Sequence, residues 1–182
     1  NQPDGAFLIG SLAAWPQRRL GIFDSILGAP PDNLAPGEAH YRSYQLVTDY
    51  DRGTARALID GSFTSTMLPA GVTALSAGAL ARPDSSVVTL IGAGLQARVN
   101  LAALRTRLPI REVRILGRSG ANAEALAREV VAGGLEAKVM TDAREAVGGA
   151  DIIVSTVPGG PALVPFLDPA WVSPGAFVSA VD

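Results

Sequence analysis

The chain has 182 residues, a formal net charge of −2 and a pI near 5.4, with no cysteine, one histidine (His40) and one lysine (Lys138). These counts exclude disulfides, cysteine-ligated zinc and a cysteine nucleophile, and leave one amine and one imidazole for chemistry. No basic stripe gathers nucleic-acid phosphates, so nucleic acid is not an expected partner, and no metal site is expected.

At 48 % hydrophobic and 18 % charged, the chain has the apolar material for a core. Its length suits one large or two small domains. No apolar run reaches the roughly 18–20 residues that span a bilayer, and no signal-peptide pattern opens the chain, which predicts no membrane partner and a cytoplasmic location. The chain starts without Met and stops just after the strand-like run Ala176–Val181, so a fragment is expected.

Two regions differ in texture. Residues 1–84 are proline-bearing and show little helical periodicity before position 64. Within them, the Pro-rich stretch Ala29–Gly37 reads as a loop. Tyr44–Tyr50 and Ala55–Asp60 read as strands of a hairpin around Asp51-Arg52-Gly53, since a three-residue loop ending in Gly suits that turn. Thr64–Arg82 follows as a helix with Ala70, Ala74, Ala77, Gly78 and Ala81 on one close-packing face. Pro69 is expected in its first turn, where a missing N–H does little harm.

From residue 85 onward, short apolar runs alternate with helical patterns, the mark of βαβ units around a parallel sheet. The expected order is strand Val87–Ile91, helix Leu95–Leu108, strand Glu112–Leu116, helix Asn122–Ala132 and strand Glu136–Thr141. A short helix Ala143–Val147 then precedes strand Asp151–Thr156, a Pro/Gly loop and strand Ala176–Val181. The strands are apolar almost throughout, as they are when both sheet faces are covered. The fold class read from this pattern is α/β, a Rossmann-type doubly wound sheet over residues 85–182, preceded by a smaller α+β domain over residues 1–84.

The run Gly92-Ala93-Gly94-Leu95-Gln96-Ala97 directly follows a strand and opens a helix. Gly92 permits the tight turn, Gly94 admits a pyrophosphate to the backbone, and the small Ala97 lets the helix pack on the strand. The helix N-terminus, with Leu95 and Gln96, offers free N–H groups and a positive dipole end. About 20 residues past the third position of this pattern, a carboxylate commonly reads the ribose of NAD. Here Gly117-Arg118-Ser119 stands instead. Arg118 and Ser119 suit a 2′-phosphate, which predicts NADP(H) over NAD(H), with NAD(H) still possible. Thr156 and Val157, at the end of the fourth strand, are expected near the ribose–nicotinamide half. Asp151, at the opposite end of that strand, reads as a structural cap.

The sequence resembles the ornithine cyclodeaminase/mu-crystallin family. The carriers are Leu80-Ala81-Arg82-Pro83-Asp84 and Val88 to Ala97, then Glu112 to Arg118, Ala146 to Val154 and Val172 to Ala176. The resemblance spans roughly residues 44–181. It implies a cofactor domain, residues 85–182 here and incomplete at its end. It also implies a substrate-binding and dimerisation domain, of which residues 1–84 would be part, and a homodimer. It further implies hydride transfer to or from an imine, a cyclic imine or an amino-acid-like substrate. The family's substrate-holding Arg-Thr pair falls on Leu68 and Pro69 here, and its Lys on Phe23, with Arg42 and Arg56 as possible replacements. Asp182 is the candidate acid/base that the resemblance implies. Two alternatives stay open: a cofactor-binding protein without turnover, and a redox-neutral cyclodeaminase using bound NAD.

Overall fold

The computed structural model describes residues 7–28, 41–157 and 165–181. They fall into two compact units, residues 1–65 and 66–182.

The first unit is a four-stranded antiparallel meander of β1 (Phe7–Trp15), β2 (Leu20–Gly28), β3 (Tyr41–Asp49) and β4 (Ala55–Asp60), in that order across the sheet. The second hairpin lies where the sequence places it, and β3 starts three residues earlier than its apolar pattern. Its turn is held by Asp49, whose carboxylate accepts the N–H groups of Asp51 and Arg52 at 3.0 Å each and an ion pair from Arg56. Arg56 first, and then the Arg52 N–H, hold the Asp49 carboxyl below its ordinary value. Gly53 completes the turn at φ +67°, a conformation that glycine adopts without penalty. The β1–β2 hairpin is less legible. Its turn is a 3-10 turn over Pro16–Arg18 closed by Arg19 at φ 53°, in place of the usual Gly or Asn. The Ala29–Gly37 loop lies outside the described residues.

The second unit is a five-stranded parallel sheet of order β7-β6-β5-β8-β9. These strands are β5 (Val87–Ile91), β6 (Glu112–Leu116), β7 (Glu136–Met140), β8 (Ile152–Ser155) and β9 (Phe177–Ala180). The chain enters at the centre, runs out to one edge, then crosses back to build the other half. That order is the Rossmann order, and it puts a crevice where the direction of winding reverses, between β5 and β8. One face of the sheet buries Val88, Leu90, Val113, Ile115, Ile152 and Val154 with Leu101 and Leu104 of α2 (Leu95–Leu104) and Leu126 and Val130 of α3 (Gly120–Ala132). The other buries Ile91 and Ile153 with Val147 of α4 (Ala143–Val147) and Ala150, against Leu167, Trp171 and Val172.

Helix α1 (Ser62–Leu80) starts in the first unit and belongs to the second from Thr66 onward. Asp60 accepts the Ser62 N–H at 2.8 Å, which starts the helix two residues before the expected Thr64. Pro69 is therefore its eighth residue, inside the helix and not in its first turn. There it leaves the Ser65 carbonyl without a helical donor. Ala70, Thr73, Ala74 and Ala77 form the buried small-residue face, and the Thr73 and Ser179 hydroxyls meet at 2.8 Å. The change in composition at residue 84 and the division between compact units do not coincide. The reason is that the C-terminal part of α1, through Ala77 and Ala81, packs with the core of the parallel sheet.

Asp151 ties the N-terminal edge of that sheet together. It accepts the Ser86 and Val87 N–H groups at 2.8 and 3.0 Å and pairs with Arg82, whose guanidinium also reaches the Pro174 carbonyl. Burial pushes the Asp151 carboxyl up, but these two N–H groups and Arg82 outweigh it and hold the carboxyl below its ordinary value of 3.8. Asp151→Ala is therefore expected to cost about 1.5–3 kcal/mol in urea denaturation at pH 7, the range for hydrogen bonds to a charged group. Because the folded-state value is depressed, this stabilisation is present above the unfolded carboxylate value. It fades as pH falls through the folded one, so wild type and variant converge in acid. A gap that stayed constant down to about pH 2 would defeat the assignment.

Candidate dinucleotide site

The crevice between β5 and β8 is built around Gly92. It stands at φ +106°, and its N–H donates to the Leu116 carbonyl at 2.8 Å. On its other side, the Thr156 N–H and hydroxyl both donate to the Ile91 carbonyl, at 2.8 and 3.1 Å. A Cβ at Gly92 would run into the Thr156 hydroxyl and lie 3.2 Å from its carbonyl oxygen. Glycine is thus demanded here twice, by conformation and by space.

Gly94 differs. It is extended, with φ −87° and ψ −166°, and a Cβ added there would meet nothing within 4 Å. It is the N-cap of α2 and has no side chain to cap the helix, so the N–H groups of Leu95, Gln96 and Ala97 lack helical acceptors. A free helix N-terminus behind an open glycine is an anion cradle. Ala97 is fully buried and seats the helix on the sheet, whereas Leu95 is 57 % exposed. The Gln96 carboxamide is engaged within the unit, donating to the Thr66 carbonyl at 3.3 Å and lying 3.3 Å from the Asn100 amide. What Gln96 offers a ligand is its backbone N–H.

Arg118 and Ser119 follow Gly117 just past the end of β6, on the β6 side of the glycine turn. Gly117 sits against the turn, since a Cβ on it would lie 3.5 Å from the Ala93 methyl and 3.3 Å from that of Ala123. Arg118 is exposed, and neither its guanidinium nor the Ser119 hydroxyl has a partner among the described residues. Ser119 is the N-cap of α3 but does not cap it with its side chain, so this second helix also presents free N–H groups. On the β8 side, Val157 packs on the Ile91–Val147–Ile153 cluster. The Thr156 hydroxyl, by contrast, is turned to the backbone.

A further residue escaped sequence reasoning. Arg98 donates to the Ala93 and Gly94 carbonyls at 2.8 and 3.1 Å and forks onto Glu129 of α3 at 2.7 and 2.8 Å. It pins the carbonyl side of the turn and joins α2 to α3. The Glu129 hydrogen bond raises the Arg98 value, and Arg98 lowers that of Glu129. Its place four residues beyond Gly94 was a readable signal, because that spacing returns a side chain over the preceding turn. Its acid on another helix was not readable.

Of the other predicted positions, Phe23 lies in a cross-strand row Leu12–Phe23–Leu46–Leu58 that is apolar throughout. Leu68 is exposed on α1 beside Pro69. Arg56 is committed to Asp49, and Lys138 donates to Glu112 at 2.8 Å. Asp182 and His40 lie outside the described residues. Among the described residues, no group of three or more His, Asp or Glu side chains is placed to hold a metal ion. Likewise, no helix is long and apolar enough to cross a membrane.

The sheet order and the strand–glycine turn–helix unit define a Rossmann-type fold. The ornithine cyclodeaminase/mu-crystallin family model matches residues 26–182, and the chain belongs to that family. It is similar to a ketimine reductase mu-crystallin of Macropus fuliginosus, 32 % identical over 154 residues, covering 85 % of this chain and 46 % of the relative. It is also similar to an L-lysine cyclodeaminase of Streptomyces rapamycinicus, 38 % identical over 172 residues, covering 88 % and 48 %. In fold it matches a Delta(1)-pyrroline-2-carboxylate reductase of Thermococcus litoralis solved with NADH and L-proline. That match has a TM-score of 0.79 at 23 % identity and covers 97 % of this chain and 58 % of that one. The chain spans about half the length of the curated relatives it matches.

Proposed function

We propose that residues 66–182 bind NADP(H) and form the cofactor unit of an oxidoreductase acting on an imine, cyclic imine or amino-acid-like small molecule. The observation that carries this reading is the glycine turn, open at Gly94 and flanked by the unpartnered Arg118 and Ser119. The residues fit the cofactor. The Leu95–Ala97 N–H groups would hold the pyrophosphate, Arg118 and Ser119 the 2′-phosphate, and Thr156 and Val157 would border the ribose–nicotinamide half. Bound there, a nicotinamide cofactor supplies or accepts hydride at a carbon of the substrate. NAD(H) is the alternative cofactor, supported by the NADH bound in the Thermococcus litoralis reductase. The names of the relatives, a ketimine reductase and a cyclodeaminase, support carbon–nitrogen chemistry. Residues 1–65 would contribute to substrate binding and to a homodimer, which the exposed Leu12 and Leu58 on their sheet support. Asp182 is the acid proposed on sequence alone to exchange the nitrogen proton.

A second reading, cofactor binding without turnover, is favoured by Leu68, Pro69 and Phe23, none of which can pair with a substrate carboxylate. NADPH consumption by the full-length protein over a panel of cyclic imines separates the two. The expected result is turnover with at least one of them. Tight NADPH binding with no turnover would replace the first reading by the second. Ammonia release from a diamino acid without net NADPH loss would establish the redox-neutral alternative.

A further inference from the structure

At one end of the antiparallel sheet, both hairpin turns present arginines to the same open basin. Strand pairing brings them together: Leu20 is opposite Asp49, and the Tyr50 N–H donates to the Arg19 carbonyl at 3.0 Å. The basin has a volume of about 350 Å³ and is lined by Arg18, Arg19, Arg52, Arg56 and Asp49. Two of the guanidinium groups are neutralised, Arg56 by Asp49 and Arg19 by Asp51. The other two are not. Arg18 lies over the Trp15 ring, 5.6 Å from its centroid, and Arg52 has no ion pair among the described residues. The backbone at Arg19 is left-handed, a conformation disfavoured for a non-glycine residue. That conformation orients an arginine where a glycine would be easier. Strain retained beside a charged basin is a pointer to function.

We propose that this basin binds a dianionic phosphate group, free or carried on a small molecule. Two unmatched positive charges balance a dianion. Several guanidinium forks lining one basin suit the oxygens of a phosphate better than the two of a single carboxylate. Asp49 and Asp51 serve as braces. Asp49 fixes the β3–β4 turn through the Asp51 and Arg52 N–H groups, and Asp51 holds Arg19 against it. The site lies wholly within the first unit and does not depend on the glycine turn.

Inorganic phosphate and phenyl phosphate, both chiefly dianions at about pH 8, are the probes for the free ion and the carried group. With Trp171→Phe, Trp15 is the one tryptophan left in this chain, and its fluorescence reports movement of Arg18 over the ring. Saturable binding at one site per chain is expected, weakening as salt rises. Arg18→Gln with Arg52→Gln should weaken it by about tenfold or more, a change of about 1.4 kcal/mol. The melting temperature should hold, because neither side chain braces the turn. Arg118→Gln should leave it intact. Isothermal titration of the chain with Trp171 retained gives the same comparison should the fluorescence variant fold poorly. No saturation by about 10 mM, where affinity falls below that of a weak specific site, would overturn the proposal. So would loss of binding in Arg118→Gln with retention in the double variant, because the anion would then be sitting at the dinucleotide crevice.

Discussion

Gly94→Val is expected to abolish dinucleotide binding while leaving the fold in place. A Cβ added there would meet no atom within 4 Å beyond its chain neighbours, so the change costs little in packing. Its backbone is extended and suits any residue. The penalty is that of a poorer N-cap, about 1 kcal/mol or less. That same space is the route by which a pyrophosphate reaches the Leu95–Ala97 N–H groups, and a branched side chain closes it. A loss of about 100-fold or more in affinity for NADPH is expected, equivalent to about 2.8 kcal/mol. Gly92→Val provides the contrast. Its φ of +106° and its contact with Thr156 predict a loss of stability of about 3 kcal/mol or more, before any ligand is added. Titration calorimetry beside thermal unfolding distinguishes the two. Full binding by folded Gly94→Val would mean that the cradle is elsewhere.

Arg118 carries the second large effect. NADPH is expected to bind at least about tenfold more tightly than NADH, and Arg118→Gln to remove most of that preference. A charge-assisted hydrogen bond contributes about 1.5–3 kcal/mol, so NADPH affinity should fall by about 10–100-fold while NADH affinity barely changes. Arg118 makes no hydrogen bond or ion pair among the described residues, so stability is expected to hold. Equal losses for the two cofactors would place Arg118 on the shared part of the dinucleotide. A tenfold preference for NADH in the unaltered protein would reverse the reading altogether.

The parallel unit was largely legible in the sequence, and for identifiable reasons. Val87–Ile91 forms a strand over the expected residues because a strand covered on both faces is an apolar run, and Glu112–Leu116 does so because Val113 and Ile115 alternate with Glu112 and Arg114. The glycine turn between β5 and α2 follows from residues that no other conformation would need. The antiparallel unit was harder. Its first strand mixes glycine, serine and alanine with larger residues, and its turn uses Arg19 where a glycine would have announced a hairpin. Pro69 was misplaced because the helix start is set by the Asp60 carboxylate, a contact that ordinary periodicity does not encode. At the candidate site, sequence assigned Thr156 to the ribose–nicotinamide half but could not show its hydroxyl turned back to the Ile91 carbonyl. It also missed the bridge from Arg98 to Glu129, because side chains 31 residues apart meet only once the sheet is wound.

The proline inside α1 has a consequence for how that helix opens. With no N–H at position 69, the hydrogen-bond ladder is interrupted after its second turn, and cooperativity across the break is reduced. The residues ahead of it are anchored through the Ser65 and Ser43 hydroxyls, 2.6 Å apart. Those behind it are anchored through a buried face of Ala70, Thr73, Ala74 and Ala77. A single helix by shape is therefore two segments by exchange kinetics, in which amides before the break can exchange with solvent without waiting for those after it.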